Sequence, residues 1–313
     1  MMSFPDLTAD ILRKAPDLRG DLQANAPLGA MSWFRTGGVA QLLFSPADTE
    51  DLACFFKALD TDMPVLILGA GSNMLVRDGG VAGAVVQIGK PFAQVSTEEN
   101  YRIRAGAAAP DVKVARAAAE AGIAGLSFLR GIPGSIGGAV RMNGGSYGGE
   151  VSDVFISLRG VTREGDLVEL SKDDMKFAYR FCGAPDNIVF TEILFQGKSG
   201  NREEILQDMN EITEKRSQTQ PVNAKTAGST FKNPPNAKAW ELIEAAGCRG
   251  LQVGDAQMSE KHCNFMINLG NATATDLENL GEEVRRRVKE HSGIELEWEV
   301  RRIGQPVTDQ PSP

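Results

Sequence analysis

The stretch TAGSTFKNP, residues 226–234, sets Ser229 between Gly228 and Thr230, with Lys232 and Asn233 just beyond. Turn-formers this dense do not make the middle of a helix. The hydroxyl is therefore presented from a loop, where catalytic groups commonly sit. A nucleophilic serine needs a general base beside it. His262 and His291 are the only histidines in the chain. From these residues alone the chemistry of Ser229 stays open.

Two glycine patches point to backbone brought close to a ligand. Glycine makes up 34 of the 313 residues, against about 7% in an average protein. Ten of them fall between Gly122 and Gly149, and five between Gly69 and Gly83. LGAGSNMLVRDGG (68–80) matches two positions of G-x-G-x-x-G at Gly69 and Gly71, but Met74 takes the third. The dozen residues beyond Met74 read as turn and strand. A dinucleotide fold needs a helix there to hold the pyrophosphate, which opposes that reading and leaves an anion nest of backbone amides or a plain tight turn between strands. RGIPGSIGGAVRMNGGSYGG (130–149) is denser still. It reads as extended, tightly turning backbone whose N–H groups suit two phosphates and a flat ring. Loops this long are usually functional.

The elements that must position these patches are read from punctuation and periodicity. Residues 48–60 read as a helix with an acidic first turn. Residues 64–69 and 84–89 read as strands, and 110–122 as a helix opened by proline and closed by glycine. Further strands are expected at 151–161, 166–170 and 187–197, with a helix-like segment at 173–180. Residues 198–204 read as a linker, running into a charged amphipathic helix over 201–220 that carries i,i+4 pairs such as Glu211–Lys215. Beyond Ser229 come a helix at 237–247, a strand at 262–270, a long helix at 273–293 and a strand at 294–304.

Composition bounds the rest. A chain of 313 residues that is 42% hydrophobic can bury several cores and suits two or three domains. A net charge of -8 argues against a nucleic-acid partner. The N-terminal MMSFPDLTAD lacks the features of a signal peptide, and no stretch approaches the length of a membrane span. Cys54, Cys182, Cys248 and Cys263 form no CxxC pair, which fits reduced thiols and no zinc site. A cytoplasmic location is expected.

FRTGG (34–38), GAGSNMLV (69–76) and GIPGSIGGAVRMNGGSYG (131–148) occur in this order. Together they resemble the flavin-binding domain of the vanillyl-alcohol oxidase type. AYR (178–180), AGSTFKNP (227–234), SEKHCNFMIN (259–268) and LEWEVRRIG (296–304) narrow the resemblance to the UDP-N-acetylenolpyruvoylglucosamine reductases, also called UDP-N-acetylmuramate dehydrogenases. It runs over residues 25–304.

The resemblance implies an α+β fold. Its FAD-binding domain of the vanillyl-alcohol oxidase type has two subdomains, 1–64 and 65–200, and a C-terminal α+β substrate domain covers 201–313. It implies FAD held by Gly69, Ala70, Gly71, Ser72 and Asn73, by Gly131, Pro133, Gly134, Ser135, Gly137 and Gly138, and by Asn143 and Gly144. Neither histidine lies in a flavin motif, so non-covalent FAD is expected. It implies NADPH as co-substrate and a UDP-sugar enolpyruvyl ether, UDP-N-acetylglucosamine enolpyruvate, as substrate. The product is UDP-N-acetylmuramate, for peptidoglycan. Family members add hydride from the flavin N5 to the terminal carbon (C3) of the enolpyruvyl group.

Charge then develops at C2 and in the adjoining carboxylate, so the site needs groups that stabilise that carboxylate and a proton donor at C2. By motif position Ser229 matches the proton donor, and Arg180 and Glu299 match the pair on the carboxylate. An ionised glutamate would repel it, so Glu299 is expected to be protonated or held through Arg180 or a water. Lys232, Asn233, Lys261 and Asn264 are the substrate-contact candidates. Arg35, Arg77, Arg130 and Arg141 lie in or near the flavin motifs, where long basic side chains are most often solvated. His262 reads as structural. Tyrosines occur at 101, 147 and 179 and none beyond 180, which resembles the shorter type without a tyrosine loop over the substrate. No metal is expected, and a monomer is. The alternatives are another FAD oxidoreductase of the same fold, which the C-terminal motifs oppose, and a non-catalytic flavin-binding module, which would need no Arg–Ser–Glu set.

Overall fold

The computed structural model describes residues 3–307. The first two residues of the N-terminal stretch and the last six of the expected C-terminal domain lie outside the described residues. The first sheet runs Asp21–Pro27, Val39–Ser45, Val81–Gln87, Val65–Leu68. Its first pair is antiparallel and the other two are parallel. A parallel connection requires a crossover, which helix Thr49–Ala58 supplies, its N-cap Asp48 accepting from the Asp51 N–H. Strand Val65–Leu68 then ends at the first glycine turn, whose successor is strand Met74–Val76 and no helix, as the pattern of 68–80 requires.

The second sheet is antiparallel throughout, in the order Leu167–Ser171, Phe155–Val161, Val189–Gln196, Arg102–Gly106, Val95–Glu98. Helix Asp111–Glu120 buries Val114, Ala115, Ala118 and Ala119. The same core takes in Leu42, Phe44 and Leu52 of the first part, and Ile205 and Met209 of helix Arg202–Thr219. The two flavin-side layers thus share one interior.

The third unit packs helix Ala274–Ser292 against a sheet of Gln252–Val253, Ala256–Met258 and Met266–Asn268, and helix Ala239–Ala245 against that long helix. Its core includes two residues from the flavin side, Phe34 and Leu75. Strand Arg301–Ile303 returns across the molecule and pairs in parallel with Met74–Val76. The Arg77 guanidinium bonds both carboxyl oxygens of Glu278, and Asp78 accepts the N–H groups of Ala274 and Thr275 at the start of the long helix.

Four local expectations are corrected. Within 130–149, Ile136–Arg141 is helical, because Ile136, Ala139 and Val140 form one buried face despite the adjacent glycines. Of 173–180 only one turn, Lys172–Met175, is helical; it ends where Lys176 enters the left-handed region at φ 43°. In 198–204, Lys198–Ser199 pairs with Ile123–Ala124 rather than running free, while the helix expected over 201–220 occurs at Arg202–Thr219 under the Asn201 cap. In 294–304 only Arg301–Ile303 is strand, since the preceding backbone bonds the Ser229 loop instead: Lys232 N donates to Glu297 O and Glu299 N to Thr230 O.

Candidate active site

A cleft of about 460 Å³ opens between the flavin-side turns and the third unit. Its wall carries every expected cofactor residue except Asn143, together with Arg180, Ser229 and Glu299. The two glycine turns face each other closely. A Cβ built on Gly134 would lie 3.0 Å from Ser72 Oγ, so any larger residue would fill the gap between them. Among the described residues, the N–H groups of Ala70, Gly71, Ser72 and Gly134 donate to no backbone group. A glycine-lined cradle with unspent donors fits a dinucleotide such as FAD.

Ser229 is positioned through its neighbours. Gly228 sits at φ +81°, with nothing within 4 Å of a built Cβ, so conformation rather than crowding favours glycine there. On the other side Thr230 is pinned at three points. Its N–H donates to Asn264 O at 2.7 Å, its carbonyl accepts from Glu299 N at 2.8 Å, and its hydroxyl oxygen accepts from Met266 N. Ser229 and Glu299 are thus held together by one residue.

Arg180 reaches the same spot from the second sheet. A two-residue turn, with reciprocal bonds between Ala178 and Phe181, places it at φ 53°, a strained setting for a side chain of this size. Its Nε donates to Glu299 Oε1 at 2.8 Å. Burial pushes the Glu299 carboxyl up from its ordinary range, and that effect outweighs the opposing pull of Arg180 and Lys232. Asn73, on the first glycine turn, donates through Nδ2 to Glu299 O and accepts from Arg301 N at its carbonyl. The elements of both sides therefore meet at Glu299.

Asn143 does not line the cleft. Its Nδ2 donates to Ala178 O and Glu150 Oε1, and its Oδ1 accepts from Ser152 N. It ties the glycine-rich segment to the turn that carries Arg180.

The four expected substrate contacts are not brought to the cleft wall. Lys232 pairs with Glu297, Asn233 accepts from Ala239 N at a helix start, and Lys261 donates to Ser217 O. Asn264 is turned inward, its amide bonding both the N–H and the carbonyl of Phe231. Of the arginines, Arg35 is exposed as expected, whereas Arg77, Arg130 and Arg141 are part-buried and engaged. Arg35 bonds Ala30 O, Arg130 bonds Thr213 Oγ1, and Arg141 lines the cleft over the Phe190 ring at 4.0 Å. Arg141 also donates to the carbonyls of Ala184, Pro185 and Ile188. His262 stands edge-on to Phe265, and burial lowers its pKa; it is off the cleft wall, in keeping with a structural residue. Sequence reasoning missed Asp111, Gln220 and Arg301 in that wall. Asp111 was hidden by its own signal, proline followed by aspartate, which reads as an ordinary helix start.

Comparison with known proteins places this geometry. Residues 220–303 match the UDP-N-acetylenolpyruvoylglucosamine reductase C-terminal domain, and residues 40–171 match the FAD binding domain. A UDP-N-acetylenolpyruvoylglucosamine reductase of Parvibaculum lavamentivorans is 56% identical over 97% of this chain and 97% of its own length. That of Azorhizobium caulinodans is 56% identical over 97% of this chain and 99% of its own. The crystal structure of the enzyme of the same name from Thermus caldophilus superposes with a TM-score of 0.78, at 34% identity, covering 91% of this chain and 98% of that one.

Asn264→Ala would strand the buried N–H and carbonyl of Phe231. It should cost about 2–4 kcal/mol in urea unfolding, whereas Lys261→Ala should change stability by no more than about 0.5 kcal/mol. Equal, small effects at both positions would contradict the inward role of Asn264.

Proposed function

The chain belongs to the UDP-N-acetylenolpyruvoylglucosamine reductase family, and from that premise and the cleft geometry we propose that Ser229, Arg180 and Glu299 carry the proton and charge chemistry of the reaction. The protein is an FAD-dependent oxidoreductase of peptidoglycan synthesis that reduces the enolpyruvyl group of its UDP-sugar substrate, and its flavin domain is of the vanillyl-alcohol oxidase type. The observation that carries the proposal is the meeting of the three side chains in one cleft, with Arg180 bonded to Glu299.

The two glycine turns would hold FAD non-covalently, and once bound and reduced by NADPH it would supply a hydride for the terminal carbon of the enolpyruvyl group. Arg180 then neutralises the substrate carboxylate as charge spreads into it. Glu299 uses one oxygen to accept from Arg180; the other, in the acid form that burial favours, is free to bond that carboxylate. Ser229 gives its proton to C2, and its oxygen recovers one from solvent. A serine hydroxyl is a weak acid, but a carbanion is strong enough to take its proton when held in line. The charge of Lys232 adds to the positive field at Glu299.

In this reading the three units are 1–64, 65–200 and 201–313. Helix Arg202–Thr219 acts as the joint, since it opens the third unit while packing on the second. Among the described residues no helix is long and apolar enough to cross a membrane. A cytoplasmic monomer acting on a nucleotide sugar completes this reading.

Ser229→Ala should leave flavin reduction by NADPH within about threefold of normal. It should slow flavin reoxidation by the enolpyruvyl sugar nucleotide by about 10²–10⁴-fold, read by anaerobic stopped-flow absorbance. Equal loss in both halves would contradict the role given to Ser229. The acid form of Glu299 predicts that the reoxidation rate constant falls as pH rises through the elevated Glu299 pKa. That limb should vanish in Glu299→Gln, which stays neutral at every pH; a limb that persists in the variant would assign it elsewhere.

A further inference from the structure

Asp111 is fully buried, and among the described residues neither of its carboxyl oxygens has a hydrogen-bond partner. Orphans of this kind are rare in folded proteins because each costs about 1–3 kcal/mol, and more if charged. The local fold does not explain this one. Asp111 opens helix Asp111–Glu120, but its side chain makes no bond there, and its own N–H is spent on Gly134 O. The side chain instead stands in the wall of the cleft. A Cβ built on Gly134 would lie 3.3 Å from Asp111 Oδ2 and 3.0 Å from Ser72 Oγ. The carboxyl, the serine hydroxyl and the facing glycine turns therefore converge on one spot, beside the unspent N–H groups of Ala70, Gly71, Ser72 and Gly134.

We propose that Asp111 is an FAD-binding residue, whose carboxyl in its acid form donates a hydrogen bond to the cofactor's diphosphate between the two glycine turns. The inference rests on the assignment of those turns to FAD. An ionised carboxylate at this spot would repel a diphosphate, whereas an acid adds one more donor to the amide nest. Burial alone pushes the Asp111 carboxyl well above its usual range, and no charged neighbour contributes to or opposes that shift. The glycine turns supply backbone donors and Asp111 a side-chain donor. Until the cofactor arrives that donor has no partner, so the residue trades stability of the apoprotein for affinity.

The test uses the flavin-stripped full chain, titrated with FAD and separately with riboflavin. Wild type should bind FAD; failure there would sink the assignment of the turns and this inference with it. Given binding, Asp111→Ala should weaken FAD at least tenfold, leave riboflavin affinity within threefold, and leave apoprotein melting unchanged or raised. Asp111→Asn, which keeps a donor, should bind FAD within threefold of wild type. Infrared difference spectra serve even if the alanine variant folds poorly: wild type minus Asp111→Asn should show a carboxylic-acid C=O band that shifts when FAD is added. Wild-type FAD affinity in Asp111→Ala, equal weakening of riboflavin, or a band that FAD leaves unmoved or converts to carboxylate would each overturn the proposal.

Discussion

The carbonyl of Thr230 accepts the N–H of Glu299 at 2.8 Å, and the geometry of the cleft depends on that bond. A proton donor and a charge-stabilising pair must be held within a fraction of an ångström of reacting atoms, yet here they come from loops distant in sequence. One backbone bond joins the Ser229 loop to the Glu299 segment. Asn73 then joins that segment to the first glycine turn, and Arg180 joins it to the second sheet. Each partner is either backbone or a short side chain, Arg180 apart, so little freedom remains.

The attachment of the third unit serves the same end. Strand Arg301–Ile303 continues directly from Glu299 and pairs with the strand that continues from Asn73. Phe34 and Leu75 sit in the third unit's core, and Asn268 Nδ2 bonds Phe34 O at 2.7 Å. Arg77 and Arg302 share Glu278 at the same seam. These side chains are half-buried, where a shared network resists screening better than an isolated surface pair. The third unit is thus fastened to the first glycine turn by ladder, core and charge together. The strain of Arg180 at positive φ is tolerated because Asn143 fixes the turn that carries it.

Much of this was legible in the residues. The helices at 48–60, 110–122 and 273–293 announce themselves by caps and apolar spacing, and they occur at Thr49–Ala58, Asp111–Glu120 and Ala274–Ser292. The short helix Ile136–Arg141 was hidden by its glycines, because burial of one face overrode weak local propensity. The strand expected over 294–304 shrank to its end because Thr230 and Lys232 compete for its backbone. At the site, residue type showed which groups can bond an anion or a substrate, but not which are already spent. Asn264 and Asn233 are turned to the backbone of Phe231 and Ala239, and Arg141 is half-buried over Phe190. Asp111 is the reverse case: it reads as an ordinary helix start, and only three dimensions show that both its oxygens are left over.

The function of this cleft is to bring a flavin and an enolpyruvyl sugar nucleotide together so that one reduces the other. The direct measurement is anaerobic: purified protein is reduced with NADPH, freed of excess, and mixed with UDP-N-acetylglucosamine enolpyruvate while the flavin spectrum is followed. Flavin should be released on denaturation, reoxidation on mixing should be stoichiometric, and UDP-N-acetylmuramate should be the product. A colourless protein that takes up no added FAD, or a reduced flavin that the sugar nucleotide leaves unchanged, would contradict that function.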